Sequence, residues 1–212
     1  RVLFRSLSPD TKSEVRIADY ARLDHTGLLP LWAGVPGHNR ANQLVRKTIT
    51  DPHRYWRPYG IPLWPADGLA YRHAQVQMRS NLMIGEGLVR YGYLKQAAEL
   101  VERLLTACVF TLKQDRGFRE FYRPDELGGE GPIGHSSGTA PLSLFLDVLG
   151  VRLISPRKVA LRGQNPFGRP IRLRYRGIEI AWNEEGAQVV FADGGKMSVT
   201  GTEIQLVEET EG

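Results

Sequence analysis

The apolar residues of this chain change their spacing partway along it, and that change restricts the fold more than any other feature. From Asp24 to about Ile154 they recur at the spacing of a helix face, and Gly or Pro stands where helices should stop. Beyond Arg172 the chain breaks into short runs, several alternating with the two-residue period of a strand. One uniform layer cannot satisfy both patterns. The sequence predicts helical hairpins over 1–154 and a small antiparallel β module over 155–212, with the junction between Leu149 and Arg172, where Pro156, Pro166 and Pro170 cluster.

In the first part the spacing predicts helices over Gly27–Gly34, Asn39–Thr50, Gln75–Tyr91, Leu94–Lys113 and Thr139–Leu149. The fourth carries the clearest stripe, with Leu94, Ala97, Ala98, Val101, Leu104, Leu105, Cys108 and Leu112 on one face. Gly92 permits a tight antiparallel turn before it. Two long loops interrupt the helices, Tyr55–Gly68 and Gly117–Gly138. The later runs, at Arg172–Arg176, Ile178–Trp182, Gln188–Phe191, Met197–Thr200 and Glu203–Val207, read as strands separated by Gly177, Glu184-Glu185-Gly186 and Asp193-Gly194-Gly195.

Composition narrows the function classes. With 42% hydrophobic and 24% charged residues the chain has the make-up of a globular protein with a core. A net charge of +5 invites an anionic partner, but Lys and Arg are scattered, so no nucleic acid is expected. No run approaches the ~20 apolar residues of a membrane span, and no membrane partner is expected. The compartment stays open, with the cytoplasm favoured, and nothing speaks to oligomeric state. Cys108, the one cysteine, reads as a core residue. His25, His38, His53, His73 and His135 lack metal-ligand spacing, and no glycine-rich strand-to-helix turn is present, so neither metal nor cofactor is expected. Residues 1–6 join poorly to the polar stretch after them, so the chain reads as truncated, with these residues a cloning or sequencing scar.

The chemistry concentrates in the two loops. Trp56, Tyr59 and Trp64 in the first, and Phe118, Phe121 and Tyr122 in the second, offer either flat faces for sugar rings or packing over helix ends. A carboxylate set among aromatics suits acid–base work, because apolar surroundings disfavour its charge. Glu120 fits that description; the competing reading pairs it with Arg119 or Arg123. Glu126 and Glu130, among glycines, read as solvated or bonded to turn amides. His135 is the histidine best placed for a substrate hydrogen bond.

Gly117-Phe-Arg-Glu-Phe-Tyr-Arg-Pro124, then Gly129-Glu-Gly131, then Thr139-Ala140 before an apolar helix, resembles the last-hairpin motif of six-hairpin glycosidases related to glycoside hydrolase family 63, the mannosylglycerate hydrolases and bacterial debranching-type enzymes. Gly27-Leu-Leu-Pro-Leu-Trp-Ala-Gly34, Trp56-Arg-Pro-Tyr-Gly-Ile-Pro62 and Leu88-Val-Arg-Tyr-Gly-Tyr93 look like further steps of these barrels, so that the likeness covers about two-thirds of the chain. The resemblance implies the C-terminal part of an (α/α)6 toroid that hydrolyses α-linked glycosides by inversion. Glu120 would be the general base, the general acid would lie on an upstream segment, and Tyr59, Trp64, Gln75, Tyr122 and His135 would line the pocket for an oligosaccharide or glycoside. Asp24 and Asp67 are in loops but match no acid motif.

Two positions depart from the pattern. Ser136-Ser-Gly138 stands where these enzymes have an aromatic pair, and Tyr71-Arg-His-Ala-Gln75 stands where they have a Trp-Arg-Gly-Pro-like segment. Such losses allow the alternative of a noncatalytic carbohydrate-binding or scaffold protein on a diverged toroid. The β module resembles the small sheet found after the toroid in many such glycosidases; it reads as a structural cover, because its exposed positions look charged rather than aromatic, with carbohydrate binding as the alternative.

Overall fold

The computed structural model describes residues 24–68, 70–71 and 74–209. The suspected scar at 1–6 lies outside the described residues, as do Arg72 and His73 of the second departure. A 3-10 turn, His25–Leu28, leads into α1 (Pro30–Ala33); α2 (His38–Leu44) continues as a π-helical turn, Val45–Ile49. The main hairpin is α3 (Met78–Arg90) and α4 (Leu94–Asp115), and α5 (Leu142–Leu149) closes the helical part.

Helices α1 and α5 both pack on α3, and α5 also packs on α4. Two glycines of α3 let them come close. A Cβ on Gly85 would lie 2.3 Å from Leu144 Cδ2, and one on Gly87 would lie 2.8 Å from the Trp32 backbone nitrogen. Around these contacts Leu28, Leu31, Ile84, Leu88, Leu104 and Val148 are buried, and the apolar area they withdraw from water drives the packing.

Ala97, Ala98, Val101, Leu104 and Cys108 of the expected stripe on α4 are buried, Leu94 and Leu105 are half-buried, and Leu100 and Ala107 join the inner face. At its end Thr111, not Leu112, takes the inner position; Leu112 is 37% exposed. Successive inward residues run Val101, Leu104, Cys108 and Thr111, and a further step of four from Cys108 rotates off the face. The buried Thr111 hydroxyl donates to the Ala107 carbonyl at 2.6 Å. Burial pushes the Cys108 thiol up to about 11, as befits a core residue.

The second loop is not irregular as expected. It folds as a β-hairpin, β1 (Arg119–Tyr122) and β2 (Gly129–Ile133), followed by a 3-10 turn at Ser136–Gly138. Four residues are too few for their alternation to stand out from aromatic spacing, and glycines and a proline occupy the partner strand.

The β part is larger than a small module. Among the described residues, seven further strands form two antiparallel sheets: β3 (Arg152–Ser155), β4 (Lys158–Arg162) and β9 (Ile204–Glu208) in one, and β5 (Ile171–Tyr175), β6 (Ile178–Trp182), β7 (Ala187–Val190) and β8 (Lys196–Val199) in the other. The five later runs match β5 to β9 closely. Strands β3 and β4 fall in the stretch that the prolines marked as a junction, and β3 begins before residue 155. Between the sheets Leu161, Ile178, Ile180, Trp182, Val189 and Val207 form a second core, which meets the helical one through Phe145 and Phe167.

Candidate active site

Four short stretches lie side by side to build the site. Pro62 bridges to Val76, Val76 bridges to Tyr122, and β1 pairs with β2. Val76 and Tyr122 exchange both backbone hydrogen bonds, at 2.8 and 3.0 Å, and the Leu63 amide donates to the Gln75 carbonyl at 2.9 Å. The first loop is thus stitched to the second through backbone groups that any sequence would supply.

Side chains fix the same docking. Buried Asn81 of α3 donates to Ile61 O and Gln77 O and accepts from the Ile61 amide, holding the loop onto the helix. Tyr59 N donates to Pro124 O at 3.1 Å. Arg57 clasps Asp125 through two nitrogens, at 2.6 and 2.7 Å, and the Tyr71 hydroxyl donates to the same carboxylate. Burial, then that carboxylate, pushes the Tyr71 hydroxyl up to about 12.

Glu120 occupies the irregular point of the hairpin. Arg119 is opposite Ile133 but Phe121 is opposite Glu130, so β2 carries an extra residue where it faces Glu120. Bulges of this kind re-aim a side chain and are common beside active sites. Gly131, at φ +78°, makes the bulge possible.

Glu120 is half-buried, and its carboxylate makes no hydrogen bond or ion pair with the described residues. Both neighbouring arginines are engaged elsewhere. Arg119 pairs with Asp115 at 2.7 Å, holding that carboxyl below its ordinary range, and donates to Gly131 O at 3.0 Å. Arg123 pairs with Glu130 at 3.3 Å and Glu126 at 3.5 Å. The reading of Glu120 as one member of a loop ion pair does not hold in this arrangement.

The other expected site residues divide. Gln75 is half-buried beside the hairpin, where its Nε2 donates to Glu130 Oε2 at 2.8 Å. Glu130 is therefore tied to side chains rather than turn amides. His135 is exposed; its Nδ1 faces the Ser137 hydroxyl at 2.7 Å and the Ser137 amide at 3.4 Å. Trp64 and Phe121 are half-buried without joining the core, whereas Tyr59 and Phe118 pack against it.

Tyr122 differs from the expectation. It is fully buried, offers no surface to a ligand, and its hydroxyl donates to Gly138 O at 2.6 Å. Burial pushes that hydroxyl well above its ordinary range. Trp56 is buried as well, donating to Glu99 at 3.1 Å with Arg103 stacked 4.9 Å above its ring. For these two the packing reading wins. Asp24 caps the first turn through the Thr26 amide, and Asp67 pairs with Arg54 at 3.2 Å.

Sequence reading missed the strap behind Glu120. The turn at 136–138 lies across β1 so closely that a Cβ on Gly138 would fall 1.6 Å from Arg119 O, and the Ser137 hydroxyl reaches Glu120 O at 3.5 Å. A Ser-Ser-Gly stretch carries no signal for that contact. Among the described residues no group of His, Cys, Asp or Glu could hold a metal ion, and no helix is long and apolar enough to cross a membrane.

Known proteins supply relatives for part of this chain, although no family model matches it. A mannosylglycerate hydrolase of Thermus thermophilus is 35% identical over 123 residues, which cover 56% of this chain and 28% of that enzyme. The chain thus spans less than a third of its relative. The crystal structure of a GH63 mannosylglycerate hydrolase from another strain of Thermus thermophilus, in complex with glucose, matches at 30% identity and a TM-score of 0.48, covering 59% of this chain and 31% of that one. A solved sialidase matches in fold alone, at 13% identity and a TM-score of 0.60 over 87% of this chain and 20% of its own. The identity over 123 residues makes this chain, across that stretch, a relative of a glycosidase.

Proposed function

We propose that this chain carries the general-base half of a glycosidase site that hydrolyses α-linked glycosides with inversion, on the C-terminal part of an (α/α)6 toroid. Glu120 is the base: it takes a proton from the water that attacks the anomeric carbon. The general acid comes from a part of the protein outside this chain, across a gap of ~6.5–9.5 Å that leaves room for that water. Gln75, Tyr59, Trp64 and His135 contact the glycoside, and Tyr122 holds the strap rather than the sugar. The relative's name makes a mannosyl group joined to a small acid the first substrate class to test.

The observation that carries the reading is the free carboxylate of Glu120, half-buried at a bulge while both adjacent arginines are engaged with other acids. A carboxylate with a structural role has a partner; one that must accept a proton from water needs an open side. The 35% identity to a mannosylglycerate hydrolase supports the same reading.

The test is turnover of mannosylglycerate, glucosylglycerate and aryl α-glycosides by the full-length protein, with and without Glu120→Gln. A base of this kind contributes roughly 10²–10⁴ in rate, so kcat should fall by at least about a hundredfold while KM changes little. Unchanged turnover in the variant removes Glu120 from the mechanism, and a full-length protein inactive on every substrate overturns the hydrolase reading. The 212-residue chain alone is expected to hydrolyse none of them.

A further inference from the structure

The β part contains a cleft of about 610 Å³ formed by three loops, those joining β4 to β5, β6 to β7 and β8 to β9. None of its lining residues belongs to the hairpin that carries Glu120. Its size falls in the range of small-ligand sites.

Its floor is rigid. A Cβ on Gly163 would lie 2.5 Å from Val199 O, and one on Gly186 would lie 2.4 Å from the same oxygen, so backbone is stacked on backbone with no room between. Gln164 N donates to Gly201 O at 2.8 Å, and Trp182 Nε1 pins β6 to Arg162 O at 3.0 Å. Asn183 Oδ1 accepts from the amides of Glu185 and Gly186, which sets the orientation of the Glu184-Glu185 turn. A ligand would meet a preformed surface and would carry little of the ordering cost of binding.

The walls combine apolar surface with several polar side chains, of which Asn165, Asn183 and Arg169 are engaged within the protein. Gln164, Glu184, Glu185 and Thr202 are among the lining residues, and their side chains have no hydrogen-bond or ion-pair partner among the described residues. No aromatic residue lines it, so it is not built to stack a base. Amide, carboxylate and hydroxyl together match a ligand dense in hydroxyls, which donate to carboxylates in strong charge-assisted bonds and accept from amides. The lining cation, Arg169, is paired with Glu102 of α4 at 2.8 Å. Two free carboxylates against an engaged cation disfavour an anionic ligand.

We infer that this cleft is an accessory saccharide-binding site that takes a neutral sugar chain, separate from the Glu120 site. Glu184, Glu185 and Gln164 hold its hydroxyls, and the glycine backbone of the floor receives the C–H face of the ring. The Arg169–Glu102 ion pair ties its rim to α4, the helix that leads into β1.

The experiment is an amide NMR titration of the whole 212-residue chain with maltotriose and with α-1,2-mannobiose, and with glucuronate as the anionic control. Saturable shifts at Gly163, Gly186 and Gly201 are expected with at least one neutral sugar and not with glucuronate. Glu184→Gln/Glu185→Gln, which removes both carboxylates, should weaken binding by at least about tenfold, and Gln164→Ala provides a second variant should that pair disturb the turn. Absent shifts at these glycines with both neutral sugars, equal response to glucuronate, or unaltered binding by both variants would overturn the inference. The readout requires no hydrolysis, so it stands or falls apart from the glycosidase reading.

Discussion

Glu120 and Gly131 face each other across the hairpin so closely that a Cβ on Gly131 would lie 2.9 Å from Glu120 Cβ and 3.0 Å from its Oε2. The glycine does two things at once. It adopts the positive φ that the bulge requires and it leaves the space in which the carboxylate stands.

Gly131→Ala should therefore cost more than a routine surface change. A non-glycine residue at positive φ loses about 1–2 kcal/mol, and the added methyl must also displace Glu120. For a chain of this size that corresponds to a fall in Tm of roughly 2–8 °C, read by thermal unfolding. In the full-length protein kcat should drop more than the stability loss would imply. A variant with wild-type Tm and wild-type turnover would show that the contact holds nothing in place.

Tyr122→Phe separates support from substrate contact. Its hydroxyl bonds Gly138 O in a fully buried setting, so removal leaves a buried carbonyl without that donor at a cost of about 1–3 kcal/mol. The expected result is a lower unfolding midpoint in urea with KM for glycoside nearly unchanged. A raised KM at unchanged stability would return Tyr122 to the pocket wall.

These residues also mark how far the sequence could be read. Helix α4 is visible because its apolar residues keep one face over many turns, and β6 because Ile178, Ile180 and Trp182 alternate without interruption. The hairpin β1–β2 is hidden because its partner strand, Gly-Glu-Gly-Pro-Ile, has almost no side chains to pattern. Glu120 can be singled out from its aromatic neighbours, yet its freedom from Arg119 and Arg123 depends on Asp115 and Glu130, residues that reach those arginines only once the chain is folded. Trp56 and Tyr122 look like loop aromatics in sequence; that they point inward is decided by Glu99 and Gly138, both distant along the chain.

The bond from Gln75 Nε2 to Glu130 Oε2, 2.8 Å long, couples the stretch that leads into α3 to the hairpin. A double-mutant cycle on Gln75→Ala and Glu130→Ala should give a coupling energy of about 0.5–1.5 kcal/mol in stability. Arg123 keeps its Glu126 partner throughout, so the cycle isolates the amide–carboxylate bond. Additive effects would mean that this bond couples nothing and that the Arg57–Asp125 clasp and the backbone bonds hold the loops without it.

Alkaline pH should loosen the same junction. The Tyr71 hydroxyl, with burial and the Asp125 carboxylate acting on it, and the Tyr55 hydroxyl, through burial, are both pushed up from 10.0 to about 12. In the unfolded chain these groups release their protons near pH 10, whereas in the fold they hold them to about 12. Above pH 10 the unfolded state thus binds fewer protons, and stability falls as pH rises. Their contribution is complete below pH 10 and is lost by the time both groups ionise in the fold. Absorbance at the tyrosinate band should show both as late-titrating tyrosines, and Tyr71→Phe should remove one of them while flattening the fall in urea midpoint between pH 10 and 12. No late-titrating tyrosine lost on Tyr71→Phe would mean that the Arg57–Asp125–Tyr71 clasp is open in solution.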